Sequence, residues 1–234
     1  MTAWQPKVFW KEVAVTEIEG GFAVTLDGRQ VKTPNKQPLI LPSRGVAQLV
    51  ADEWAAQEGT VKPATMPATR MANSALEKVV PQHDEVATLL AEYGGSDLLC
   101  YRSEGPDVLV ARQAAVWDPL LDWAEAAFGV RLAVTAGIMP VDQDPAAVAR
   151  LASEVHAMGP FHLAAFYDLV SISGSLVIAL AVVHGVRDPE TAWDISRVDN
   201  IWQAEVWGPD DEEIATAALK RAAFLFAARF HALV

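Results

Sequence analysis

The sequence predicts an α+β chain: a β-rich N-terminal unit that also carries helices, followed by an all-helical C-terminal domain. Three observations predict it. Apolar residues alternate over the first forty positions, their period turns helical from Ser43 onward, and the charge divides in the same sense. Residues 1–78 hold nine basic and eight acidic side chains, residues 79–234 nine basic and twenty-two acidic. Two parts with different surfaces follow, and the boundary is placed so that 1–93 and 94–234 are the two domains.

Val13, Val15 and Ile18 alternate, Gly20-Gly21 turns the chain, and Phe22, Val24 and Leu26 alternate again. Asp27-Gly28 is a two-residue hairpin signal. Val31 continues the sheet to Pro34, and Pro38 and Pro42 bracket a short strand at 39–41, for a meander of three or four strands. Ser43 caps a helix with Val46, Leu49, Val50 and Trp54 on one face, ended by Gly59. Pro63 and Pro67 mark an extended connector before a helix from about Thr69, which Pro81 interrupts. A third helix runs to Tyr93, and the type of the 97–102 segment stays open. Beyond residue 106 everything reads as helix except 130–136. Asp118-Pro119, Asp144-Pro145 and Asp188-Pro189 each read as a cap followed by a first-turn proline, so the first should split one long pattern into two helices. Gly159-Pro160 opens the most apolar helix. Asp210-Asp211-Glu212-Glu213 opens the final one, with acids where the helix dipole favours them.

Composition excludes several classes. A formal net charge of −12 is the wrong sign for a nucleic-acid partner. The apolar run at 176–183 is too short to span a bilayer, so no membrane insertion is expected. Neither a G-x-G-x-x-G nor a G-x-x-x-x-G-K-[ST] loop occurs, and Ser173-Gly174-Ser175 does not meet the nucleophile-elbow pattern. The five histidines form no metal-binding pair. No catalytic, cofactor or metal residue is therefore assigned. Cys100, the single cysteine, reads as a buried and inert thiol. Asp168, a lone acid in a very apolar helix, is the one place where a small-molecule enzyme would put an acidic site. What stands out instead is eight tryptophans, with Trp202 and Trp207 about 140° apart on a helix, so that one faces inward and the other outward. Glu205, three residues after Trp202, shares its face. Asp199, Trp202, Glu205 and Trp207 are the expected partner-binding residues: apolar anchors beside acids, suited to a basic or neutral surface.

Seven strings in order carry a resemblance: LDGRQVKTP (26–34), LPSRGVAQLVADEW (41–54), MPATRMAN (66–73), SDLLCYR (96–102), WDPLLDWA (117–124), SGSLVIALAV (173–182) and VDNIWQAEVWG (198–208). Together they resemble the F(1)-ATPase assembly chaperones that act on the alpha subunit, the ATP-twelve family. The resemblance implies a β-rich region followed by a helical domain, and no cofactor or small-molecule substrate. It also implies a non-catalytic role: binding the free alpha subunit of F(1)-ATPase until the beta subunit replaces it. With no Arg-rich leader before the first strand, the expected location is the bacterial cytoplasm, or the mitochondrial matrix for a processed organellar form. A small-molecule enzyme around Asp168 and a stable structural subunit are the competing readings.

Overall fold

Alternation at the N-terminus becomes a sheet in the computed structural model, which describes residues 7–234. Val13–Ile18 (β1) and Gly21–Leu26 (β2) pair antiparallel with Val15 opposite Val24, and Arg29–Gln30 (β3) adds to β2. At the β2–β3 turn Asp27 and Gly28 have φ of 48° and 79°, the left-handed pair that a type I′ hairpin turn needs. The Asp27 carboxylate accepts from the backbone N–H of Lys11 and Glu12 at 3.0 and 2.9 Å. Those bonds hold its carboxyl below the usual range. The strand expected at 39–41 does not form as a strand. Pro38 and Pro42 withhold N–H groups on either side, and only the bridges Phe22–Leu41 and Lys32–Pro38 remain. The Phe22–Leu41 bridge is tight, since a Cβ on Gly21 would lie 2.3 Å from the Leu41 carbonyl oxygen.

Ser43 caps Arg44–Ala55 (α1), accepting from Val46 N–H at 3.1 Å. This helix ends four residues before Gly59. Its buried face carries Val46, Leu49 and Val50 as expected, while Trp54 is only half-buried. Pro67–Ser74 (α2) starts two residues earlier than expected because Pro67 takes a first-turn position. Glu53 supplies its cap: the carboxylate accepts from Ala68 N–H at 2.5 Å, Thr69 N–H at 2.8 Å and the Thr69 hydroxyl at 2.8 Å. Pro81 does not break the helical path. A π-turn over Ala75–Val79 and a 3-10 turn over Val80–Gln82 absorb its missing N–H before His83–Ala91 (α3).

The 97–102 segment resolves into a 3-10 turn and Tyr101–Arg102 (β4), which pairs parallel with Thr135–Ala136 (β5). Between them Asp107–Phe128 (α4) is one helix of 22 residues with Pro119 inside it, correcting the expected split. An interior proline costs about 3 kcal/mol. Burial of Trp117, Leu120 and Leu121 around it offsets that cost and keeps the helix whole. Pro145–His156 (α5) and Pro189–Ser196 (α8) start on the Asp144 and Asp188 caps as expected. Pro160–Ser173 (α6), Leu176–Val183 (α7), Val198–Trp207 (α9) and Asp211–Leu233 (α10) complete the chain. The fold class is α+β, with a small N-terminal sheet and a mostly helical remainder.

The division expected at 93/94 follows chain order, whereas packing groups the chain differently. One compact unit holds the residues up to His83 with Gly159–Ala165 and Arg229–Val234; the other holds Asp84–Met158 with Phe166–Ala228. In the first, α1 lies on β1 and β2 over a core that includes Val24, Leu41, Val46 and Val50. In the second, α7 is buried from Leu176 to Ala181 and packs against α4 and α8. Among the described residues no helix is long and apolar enough to cross a membrane.

Candidate functional site: the exposed surface of α9

α9 begins where α8 ends at Arg197, and its first residue, Val198, is buried. Along its length the packing runs out. From Gln203 to Trp207 every side chain is exposed. Trp207 reaches 73% exposure, and Val206 and Ile201 are also exposed. Trp202 is half-buried, and its ring meets that of Trp207 edge-on at 5.8 Å. The inward and outward tryptophans of the helical spacing are thus also a contacting pair. Aromatic rings held in this way are rigid and need little ordering before they bind.

The acids differ in what holds them. Glu205 is exposed and pairs with Arg112 of α4 at 2.8 Å, an ion pair in solvent that contributes at most about 1 kcal/mol. Asp199 is half-buried, and its Oδ1 accepts from Gln113 Nε2 at 2.7 Å. Gln113, itself buried, accepts through Oε1 from Ser103 N–H at 2.8 Å. Asp199 therefore both ties α9 to α4 and forms one wall of an open cleft of about 410 Å³. Arg102, Glu104, Gly137 and Ile138 are among the residues that line the rest of that cleft. Arg102 is already engaged: it donates to Asp118 at 2.8 Å and to the Leu99 carbonyl, and lies over the Trp117 ring.

The four residues expected at the partner surface therefore lie on one helix, two as exposed groups and two as half-buried supports. Sequence reasoning passed over Arg112 and Gln113, which stand on α4 some ninety residues away and carry no local signal. It also passed over the exposed Ile214 and Leu219 of α10, which read as ordinary helix positions.

Other candidate chemistry is structural in character. Asp97 is wholly buried and takes N–H groups of Leu99 and Val177 at 3.0 Å each, pinning the 97–100 turn to the start of α7. Burial raises its carboxyl above the usual value, with those N–H groups and the Ser175 hydroxyl opposing. The Cys100 thiol is pushed up to about 12 by burial and by the neighbouring Asp97 carboxylate, as suits the inert reading. Asp168 is half-buried on α6 and engaged by other groups. No group of three or more His, Cys, Asp or Glu fit to hold a metal occurs among the described residues.

Exposed tryptophan, isoleucine and valine beside carboxylates make the kind of surface that binds other proteins. The chain belongs to the ATP12 chaperone protein family, whose model matches residues 7–125, just over half of its length. It is similar to mitochondrial protein atp12 of Schizosaccharomyces pombe, 27% identical over 226 residues that cover 91% of this chain and 78% of that protein. The crystal structure of Atp12 from Paracoccus denitrificans superposes with a TM-score of 0.94 at 48% identity, covering 97% of each chain. A point mutant of the P. denitrificans protein gives the same TM-score at 47% identity, again over 97% of both chains. The family match ends before α9, whereas the structural match spans nearly the whole chain.

Proposed function

We propose that this chaperone serves ATP synthase assembly by holding the free alpha subunit of F(1)-ATPase through the exposed surface of α9. It yields that subunit when the beta subunit arrives. The observation that carries the proposal is the exposure of Ile201, Val206 and Trp207 beside Glu205, in a member of a chaperone family. An unassembled ring subunit exposes an interface meant for its neighbour, and apolar patches of that size aggregate. A cover of moderate affinity suffices, because a neighbour that buries more surface displaces it by mass action. Neither nucleotide nor metal enters this cycle. The protein works in the bacterial cytoplasm or, in organellar form, in the mitochondrial matrix.

The test is capture of purified alpha subunit, with beta subunit as control, by the unaltered chain and by Glu205→Lys. The unaltered chain is expected to retain alpha and not beta. Glu205→Lys should leave thermal unfolding within a degree or two, since only an exposed ion pair is lost. It should weaken alpha capture at least tenfold through reversed interfacial charge. A folded Glu205→Lys chain with undiminished capture moves the surface elsewhere, first to Arg29 and Lys32 on the β2–β3 hairpin.

A further inference from the structure

α9 does not stand alone as exposed helix. In α10 every residue from 211 to 223 is exposed except Ala217, and burial begins only at Phe224, whose ring lies 6.1 Å from that of Trp193. Arg197, which caps the start of α9, and Asn200 in its first turn both donate to Glu213 in the first turn of α10. The start of α9 is thereby tied to the start of α10, and the exposed stretches 203–207 and 211–223 follow one another along the chain with only a short turn between them. Thirteen residues without a packed face are marginal as a helix on their own. An amphipathic surface helix would solve this with one apolar stripe turned to the core. That is absent here: Ile214 is 53% and Leu219 75% exposed. Five residues apart, they point about 140° away from each other. Ile201 and Val206 on α9 stand in the same relation. A flat partner surface would cover one member of each pair and leave the other in water.

We infer that α9 and the first half of α10 form an arm that enters a cleft of its partner and is gripped on two sides. This rests on the reading above, which makes that partner the free alpha subunit, and it specifies the chemistry of the receiving surface. The walls are apolar, to take Ile201, Val206, Trp207, Ile214 and Leu219. The rim is basic, because the turn between the helices and the start of α10 carry Asp210, Asp211 and Glu212 beside Glu205, while Lys220 follows only two turns later. Two-sided burial would give 211–223 the packed face that the fold leaves without cover.

The arm is tested with the full chain and purified alpha subunit by two measurements. The first compares capture by Ile214→Ser and Leu219→Ser, which alter exposed positions on opposite sides of α10. Each is expected to weaken capture roughly tenfold without changing thermal unfolding. The second follows amide hydrogen exchange in the unaltered chain: 211–223 should exchange rapidly when free and at least tenfold more slowly when alpha is bound. Loss of capture in only one variant means a flat, one-sided contact and overturns the arm. So does capture within twofold of normal in both variants, or unchanged exchange at 211–223; in each case alpha binding itself stands. Should either variant fold poorly, the exchange measurement decides alone. Failure of the unaltered chain to capture alpha removes the function and the arm together.

Discussion

Trp54 stacks edge-on against Trp10 with ring centres 5.2 Å apart, and its buried Nε1–H has no acceptor. Trp54→Ala is therefore expected to cost about 3 kcal/mol, the low end for a tryptophan because the ring is only half-buried. Trp54→Phe should cost less than half of that, since the N–H it removes made no bond; equal losses in urea unfolding would refute this. Asp97 gives a pH signature. Its folded carboxyl titrates above the 3.8 of the unfolded chain because burial outweighs its hydrogen bonds. The folded protein thus binds more protons between those two values, and stability rises as pH falls through that window. The contribution is complete below 3.8 and lost as pH rises through the folded value. Glu53 is raised in the same sense, but it cancels when the chain is compared with Asp97→Asn. The stability difference between the two should grow in favour of the unaltered chain on acidification toward pH 4, and a flat difference would contradict the assignment. Nothing in the sequence marked Asp97, because its importance comes from Val177, eighty residues on, whose N–H it binds.

Caps were the most legible elements. Ser43, Asp144, Asp188 and Asp210 sit where side-chain oxygens meet the first free N–H groups of a helix, and such local chemistry survives folding unchanged. Prolines were less legible. Those at 67, 145 and 189 start helices, whereas Pro81 and Pro119 lie within helical paths that a local rule would break. A change of helix winding carries the chain past Pro81 and burial of Trp117, Leu120 and Leu121 carries it past Pro119, and neither is visible to a window of ten residues. Pro119 is exposed, so Pro119→Ala should restore an N–H to α4 without opening a cavity. The expected gain is about 1–3 kcal/mol in urea unfolding. A loss would show that the ring is needed to set the path of the helix.

At the scale of the whole molecule, the α+β class and the helical remainder were readable from periodicity alone, and seven short strings were enough to suggest the family. The grouping of the chain into units was not readable, because residues 229–234 return to a unit begun at the N-terminus. Asp199, Trp202, Glu205 and Trp207 were legible as a local cluster. Their supports on α4 and the exposed stretch of α10 were not, since exposure is a property of packing. The return of the chain end has a consequence of its own. The Ser43 hydroxyl, which caps α1, donates to the Leu233 carbonyl, and a Cβ on Gly45 would lie 3.0 Å from the Leu233 side chain. Residue 233 is translated long after residue 43. The α1 cap can therefore accept from Val46 N–H at once, but its hydroxyl must wait for the Leu233 acceptor through the synthesis of some 190 further residues. The unit that holds α1 is begun early and closed late, so a chaperone of assembly would itself spend much of its synthesis unfinished.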